Sequence, residues 1–570
     1  MTTDEARLVE RVERLAELAI RTWTAVAARE RALGDDPDAA VSAAEPIGPR
    51  HRARELLDHT RHYLVPRARD LDAPLVVVVL GPTGSGKSTL VNTLAGAVVS
   101  EAGVLRPTTR QAVLVATTAD ADALLGPAGP LASLPRPRIR LVETGARPGV
   151  VLVDAPDIDS VEQDNRALAD AILELADLCL FVTTATRYAD QVPWDVLGRV
   201  AQRELPLIVI VNRLPTGDAA DSVLTDMRGL IERAHLPFER MVGVAEGSIE
   251  ASGQSLVTED IAGLVGRIDE LAQTASARRA VAEQALAGAV RGITPLVGSV
   301  ATDLERAADD ADGLRRIAAE DHAQELVLLL DRLTQGTVLR EEVIRQWHTF
   351  VGADQVTRWF SRGIGRIRAA ASTLVRGAPA IPAAAVQRGA TEDLTALVVA
   401  GAADAARRTA THWSGDSQGA RLIGQAPDLW TNAPDLPERT RAAFEDWIRT
   451  IATDVAATGA TKRGVARGLS LSVNAGAVTV MLGVFAHTGG VTGAEVGIAA
   501  ATAFLNQKLM NALFGEAAVQ DLIDRARNGL TERLRGLVDA ERARFDRLVD
   551  DGASLRSLAA ELWSYGTPDG

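Results

Sequence analysis

Leu75-Val-Val-Val-Val-Leu80 is followed directly by Gly81-Pro-Thr-Gly-Ser-Gly86 and then by Lys87-Ser88-Thr89-Leu-Val-Asn-Thr-Leu94. The first stretch is a short apolar run rich in valine, which predicts a strand buried on both faces. The glycines that follow predict a tight loop, because glycine adopts backbone angles that other residues avoid. The segment from Thr89 predicts a helix, so the whole stretch is a strand–loop–helix unit.

The loop of this unit has the spacing G-x-x-x-x-G-K-[ST], and both flanking elements are of the type that the motif requires. Its glycines allow backbone N–H groups to surround phosphates, and the N-terminus of the following helix adds a favourable dipole. Lys87 is expected to reach the β- and γ-phosphates, and the Ser88 hydroxyl to bind Mg²⁺. The candidate nucleotide-binding residues here are Gly81, Pro82, Thr83, Gly84, Ser85, Gly86, Lys87, Ser88 and Thr89.

Composition narrows the class of protein. The chain has 570 residues with a net charge of −14, which argues against nucleic-acid binding because that requires a basic surface. A single cysteine, Cys179, and an acidic start without an apolar run favour a reducing, cytoplasmic location. Only three of the 61 basic residues are lysines, so the lysine retained at position 87 is a stronger signal than any arginine.

Further short apolar runs alternate with helical stretches after the loop, which predicts a mostly parallel α/β sheet over about 74–265. These runs are Val113–Ala116, Val150–Val153, Leu178–Val182, Leu207–Val211 and Met241–Val244. Residues 1–70 read as helices that join a helical bundle. From 270 to 570 the pattern is helical throughout, and apolar residues over 516–564 recur at near-heptad spacing, as in a coiled coil.

Three other segments fit a nucleotide site. Arg106-Pro-Thr108-Thr109 precedes a strand, where a threonine closes over Mg²⁺ and the γ-phosphate; Thr109 is the first candidate and Thr108 the second, with an ordinary Pro-Thr turn as the alternative. Asp154 ends a strand and fits the carboxylate that holds Mg²⁺. Asn212-Arg213 ends another strand, where a base-recognition loop belongs.

This order of motifs resembles the TRAFAC-type GTPases, specifically the bacterial dynamin-like proteins and their Era-like relatives. The resemblance in motifs covers about 75–250, and the rest is a likeness of layout. It implies a P-loop GTPase domain followed by a large all-α bundle or stalk, with GTP and Mg²⁺ as cofactors. It also implies self-association, or pairing with a related GTPase.

The chain departs from the family pattern at three places. Asp157 stands where relatives carry a glycine whose N–H contacts the γ-phosphate, so its carboxylate must turn away or repel that phosphate. Pro215 stands in place of the aspartate that reads guanine, so the resemblance alone implies guanine preference. Thr83 and Gly84 replace the Gln-Ser pair that supports hydrolysis in dynamins. Slow hydrolysis, hydrolysis with a partner subunit, and binding without hydrolysis all stay open.

Leu469 to Leu505 contains one formal charge, Glu495, in 37 residues. Its two apolar arms are each shorter than the roughly 20 residues that span a bilayer. We expect either a hydrophobic hairpin that contacts a membrane, at its inner face, or a hairpin buried in the bundle. The leading hypothesis is a dynamin-like GTPase that couples nucleotide state to membrane association. The alternatives are a soluble Era-like regulatory GTPase that acts on a protein partner and a non-hydrolysing nucleotide-binding scaffold.

Overall fold

The structure is a computed structural model that describes residues 3–39, 48–101, 111–126, 129–132, 134–159, 163–234, 236–250, 253–335, 383–460 and 515–566. Two predictions fall outside these residues. They are the threonine pair Thr108 and Thr109, and the apolar segment 469–505.

The described residues contain one seven-stranded sheet in the order β3-β2-β4-β1-β5-β6-β7. The strands are β1 (Leu75–Leu80), β2 (Ala112–Val115), β3 (Ile139–Val142), β4 (Val150–Asp154), β5 (Leu178–Thr184), β6 (Leu207–Leu214) and β7 (Arg240–Ala245). Only the β2–β4 pair is antiparallel among the pairings of this sheet. The mostly parallel α/β sheet and the large helical remainder are therefore confirmed.

The strand that the sequence did not predict is β3. It lies at the edge of the sheet, and its four residues are half-buried or exposed. Arg140 interrupts its apolar pattern, so the local sequence lacks the continuous apolar run of a central strand. The central strand β1 shows the opposite case, because all six of its residues are buried.

Helices make up most of the remaining described residues. Before and between the strands lie α1 (Thr3–Ala32), α2 (Pro49–His59), a π-helical turn (Thr60–Leu64), α3 (Val65–Arg69), α4 (Lys87–Ala95), α5 (Thr118–Leu125), α6 (Gln163–Glu174), α7 (Gln191–Gln202) and α8 (Asp218–Arg233). After the sheet come α9 (Ala262–Gln273), α10 (Ala275–Gly292), α11 (Thr294–Gln335), α12 (Ala383–Ser414), α13 (Ser417–Gln425), α14 (Leu436–Ala460), α15 (Glu516–Asp546) and α16 (Gly552–Tyr565). Short 3₁₀ turns occur at Arg136–Arg138, Thr258–Ile261 and Pro427–Trp430.

The chain divides into two compact units. The first contains the described residues of 1–30, 36–307 and 553–570, and the second those of 31–35 and 308–552. Helical residues 275–307 and 553–565 thus belong to the unit that carries the sheet, although the sequence suggests a helical part beginning at 270.

In the first unit, the N-terminal helices are fixed to the sheet and to α16. Arg21 of α1 forms a two-point ion pair with Glu561 of α16, at 2.7 and 2.8 Å. Near the amino end of β1, buried Arg67 of α3 pairs with buried Asp177, which also accepts a hydrogen bond from the Val76 N–H at 2.8 Å. Because each charge would be costly to bury alone, this pair ties α3 to the amino end of β1.

The second unit has two apolar clusters within a helical bundle. Around Trp447, α14 packs on α15, and the indole N–H donates to the carbonyl of Ala526 at 2.8 Å. The other cluster joins Trp413 of α12 and Phe545 of α15 edge to face, with ring centroids 5.3 Å apart. The near-heptad residues from Ile523 to Leu548 therefore pack within this bundle, whereas residues 553–564 belong to the first unit.

Candidate nucleotide-binding site

The glycine loop lies between the carboxyl end of β1 and the start of α4. A side chain at Gly81 would collide with the carbonyl oxygen of Val182 on the neighbouring strand β5. Gly86 has a φ of 101°, and a Cβ there would collide with the Asn212 amide. These two glycines are therefore required by close approach and by backbone conformation, and they shape the loop that faces the N-terminus of α4.

Lys87 is buried at the centre of the loop and its ammonium is fully engaged. The Nζ donates to the carbonyl oxygens of Gly81 and Pro82 at 2.9 and 3.1 Å. It also pairs with Oδ1 of Asp157 at 2.5 Å, with side-chain exposures of 5% for the lysine and 16% for the aspartate. The carboxylate that replaces the family's glycine thus faces the lysine that is expected to bind phosphate.

Asp154 ends β4 with its carboxylate fully buried. Its Oδ2 accepts hydrogen bonds from the hydroxyls of Ser88, at 2.7 Å, and Ser100, at 2.6 Å. Its Oδ1 is buried without a hydrogen-bond partner among the described residues. Burial raises the pKa of Asp154 above its ordinary value, although the two serine hydroxyls act in the opposite direction.

These atoms fit Mg²⁺, which prefers hard oxygen ligands and retains several waters. The Ser88 hydroxyl and the Asp154 carboxylate are the residues that would hold the ion, and the unpartnered Oδ1 leaves the carboxylate with capacity to accept. Ser100 was not predicted. Its position is set by Asn92, whose side-chain oxygen accepts the backbone N–H groups of Val99 and Ser100 at 2.8 Å each.

Two further charged side chains, Asp159 and Arg187, contact the loop at Thr83. The Thr83 backbone N–H and hydroxyl both donate to Oδ1 of Asp159 at 2.6 Å. Arg187, in the segment after β5, donates from Nη1 to the Thr83 carbonyl at 3.0 Å and from Nη2 to Oδ2 of Asp159 at 2.9 Å. Although partial burial acts to raise the pKa of Asp159, the bonds from Thr83 and Arg187 hold it below its ordinary value. Sequence reasoning found neither Asp159 nor Arg187.

Asn212 at the end of β6 supports the loop from the other side. Its side-chain amide donates to the carbonyl of Ser85 at 2.9 Å, and its Oδ1 accepts the Arg213 N–H at 2.8 Å. Arg213 is exposed and has a positive φ of 54°. The structure therefore brings Asn212 to the glycine loop and turns Arg213 toward solvent.

Comparison with known proteins adds one family match. Residues 76–213 match the sequence model of a family described as "50S ribosome-binding GTPase". That range begins in β1 and ends at Arg213, so it contains the Lys87–Asp157 pair and the hydrogen bond from Ser88 to Asp154. No curated protein matches the chain.

Several solved structures resemble the chain weakly. An oligomerised bacterial dynamin pair is 10% identical, with a TM-score of 0.37 over 90% of each chain. The LeoA bacterial dynamin GTPase from ETEC is 13% identical, with a TM-score of 0.24 over 98% of this chain and 99% of LeoA. Toc33 from Arabidopsis thaliana, in complex with Mg²⁺ and GMPPNP, is 15% identical, with a TM-score of 0.24 over 38% of this chain and 95% of Toc33.

TM-scores in this range do not establish a shared overall fold, so the assignment depends on the family match, the sheet and the loop. The glycine loop between β1 and α4, the buried Lys87 and the Asp154 carboxylate beside Ser88 all lie within the matched residues. Residues 76–213 of this chain are a P-loop GTPase domain.

Proposed function

We propose that the chain binds GTP with Mg²⁺ at the glycine loop and hydrolyses it. One observation carries the proposal: Lys87, Ser88 and Asp154 converge where the adjacent parallel strands β1 and β4 end. The carboxyl ends of parallel strands are where α/β folds bind nucleotides. The family match is the support for a guanine nucleotide. The residues on the base side do not add to it, because Pro215 replaces the aspartate that reads guanine.

The residues of the site divide the work of phosphoryl transfer between them. The loop N–H groups and the α4 N-terminus bind the phosphate oxygens, and Lys87 neutralises their charge after leaving Asp157. Ser88 and Asp154 would hold Mg²⁺, which supplies charge neutralisation at the phosphates. Asn212 keeps the loop in shape through the Ser85 carbonyl.

Phosphate release tests the enzymatic part of this proposal. Wild type should release phosphate from GTP faster than from ATP, and Lys87→Ala should abolish release from both. Arg199→Ala is the matched control, because it removes an ion pair with Asp170 in the same domain, at 2.7 Å, without touching the loop. Wild-type release equal to that of Lys87→Ala, while GTP still binds, would favour the scaffold hypothesis. Faster turnover of ATP would contradict guanine specificity.

We further propose that nucleotide state controls association with the inner face of a membrane through residues 469–505. The support is the sequence alone, which places one charge in those 37 residues. Flotation with anionic liposomes should recover the full chain with GTP and lose it when 469–505 are replaced by a Gly/Ser linker of equal length. If both forms stay in the unbound fraction, the soluble regulatory hypothesis replaces this one.

Light scattering with GTP or GDP bound tests the accompanying proposal of self-association. The expected result is a larger mass with GTP. A monomeric mass in both states would leave pairing with a related GTPase as the surviving form of this proposal.

A further inference from the structure

Two positively charged side chains, Lys87 and Arg187, donate hydrogen bonds to the glycine loop. Three successive carbonyl oxygens of the loop accept hydrogen bonds from positively charged side chains. Lys87 donates to those of Gly81 and Pro82, and Arg187 donates to that of Thr83 at 3.0 Å. The lysine comes from the loop's own motif, whereas the arginine comes from 104 residues further along the chain.

Each cation faces one carboxylate from the short segment after β4. Lys87 pairs with Asp157 at 2.5 Å, and Arg187 pairs with Asp159 at 2.9 Å. The two carboxylates are two residues apart, and each sits against a loop donor: the lysine ammonium in one case and the Thr83 N–H in the other. Both donors are expected to bind phosphate oxygens, so each carboxylate occupies a position that an anionic ligand would take.

The sheet explains why an arginine at position 187 reaches the loop. Strand β5 lies beside β1 in parallel, with Phe181 paired to Leu80, so the segment after β5 emerges next to the loop. Gly81 permits this approach, since any side chain there would meet the Val182 carbonyl. The guanidinium also retains bonding capacity, because its bonds to Thr83, Asp159 and Asp190 use three of its five N–H groups.

We propose that Arg187 contacts the terminal phosphate of bound GTP and neutralises the charge that develops there during hydrolysis. The proposal rests on the proposed GTPase function. Thr83 and Gly84 stand in place of the Gln-Ser pair that supports hydrolysis in dynamins, and Arg187 would supply the charge stabilisation that these two residues cannot. GTP displaces Asp157 from Lys87, and Arg187 exchanges its bond to Asp159 for one to the γ-phosphate. An arginine placed in this way raises kcat by on the order of 10³-fold or more.

A structural role makes a different prediction. If Arg187 only ties the segment after β5 to the loop, its removal should lower stability and nucleotide affinity together. Tyr188 provides the matched control, since its hydroxyl anchors the same segment to Asp226 of α8 at 2.7 Å and does not touch the loop. Tyr188→Phe therefore loosens the segment while leaving the guanidinium in place.

The test compares wild type, Arg187→Ala, Arg187→Lys and Tyr188→Phe in three measurements: GTP affinity, single-turnover hydrolysis, and affinity for GDP with aluminium fluoride, a mimic of the transferring phosphoryl group. We expect Arg187→Ala to bind GTP and GDP within about threefold of wild type. It should hydrolyse GTP about 10³-fold more slowly and lose the extra affinity for the aluminium fluoride complex. Arg187→Lys should recover little, because an ammonium lacks the planar fork.

The outcomes separate the two proposals. Tyr188→Phe should match wild type in all three measurements; a loss of turnover there equal to that of Arg187→Ala would assign the effect to the segment and overturn the role of Arg187. Equal hydrolysis by wild type and Arg187→Ala would overturn it as well, while leaving the GTPase intact. Failure of wild type to bind any guanine nucleotide would remove the proposed function, and the role of Arg187 with it.

Discussion

Removing Asp157 should tighten GTP binding. In the structure its carboxylate holds the Lys87 ammonium at 2.5 Å, and both side chains are largely shielded from water. GTP must break this pair before the lysine can bind its phosphates, and the displaced carboxylate then lies near a like charge. Asp157→Ala removes both costs, whereas an ordinary binding residue would lose affinity on truncation.

The size of the effect follows from that one contact. A hydrogen bond to a charged group contributes about 1.5–3 kcal/mol, which corresponds to a gain in GTP affinity of about 10- to 150-fold. GDP should gain less, because it lacks the phosphate that the carboxylate repels. The gain should change little with salt, since a shielded pair is poorly screened.

Fluorescent GTP and GDP analogues, titrated into wild type and variant with Mg²⁺, measure both gains. Asp157→Asn keeps the shape but drops the charge, so it should give a smaller gain than Asp157→Ala. Asp170→Asn is the control, because it neutralises a carboxylate paired to Arg199 away from the loop. Unchanged or weaker GTP binding by Asp157→Ala would refute the competition between this carboxylate and phosphate.

Three further predictions follow from the same unit. Asn212→Ala should weaken GTP and ATP binding equally, by about 1 kcal/mol in titrations, because it frees the Ser85 carbonyl; a change for one base only would instead place Asn212 at the base. Burial raises the pKa of the Cys179 thiol to about 12, so a thiol reagent should label it only on unfolding and more slowly with GTP, and rapid labelling of native protein would contradict this. Asp177→Ala should lower the free energy of unfolding by about 3–5 kcal/mol in urea, since it leaves Arg67 buried without its carboxylate, and a loss below about 1 kcal/mol would contradict that role.

The sheet was predictable wherever local sequence and final environment agree. The run from Leu75 to Leu80 is apolar throughout and is buried throughout, so its pattern alone predicts a central strand. Ile139–Val142 contains Arg140 and lies at an edge, where only neighbouring β2 justifies a strand. Edge position is a property of the folded sheet, and no local pattern carries it.

The site was predictable only where a residue belongs to a spaced motif. Lys87 and Ser88 come from the loop's own spacing, and Asp154 from its place at the end of a strand. Ser100 reaches Asp154 across 54 residues because Asn92 fixes its backbone. Arg187 reaches Thr83 across 104 residues because β5 lies beside β1. In a chain where nearly every basic residue is arginine, nothing in the sequence distinguishes Arg187.

The role of Asp157 was predictable from the sequence only in part. Its departure from the family pattern was visible in the sequence, together with the expectation of repulsion from a γ-phosphate. Its partner was not, because the pair with Lys87 joins the loop after β1 to the segment after β4 across 70 residues. The structure shows that the Asp157 carboxylate pairs with Lys87, so it competes with phosphate for that lysine.

Equilibrium titration of GTP and ATP with Mg²⁺, into wild type and Lys87→Ala, tests whether the glycine loop binds GTP through Lys87. We expect wild type to bind GTP more tightly than ATP, and Lys87→Ala to bind neither nucleotide while circular dichroism shows that it keeps its fold. GTP binding that survives in a folded Lys87→Ala protein, or wild type that binds neither nucleotide, would contradict nucleotide binding through Lys87 at this loop.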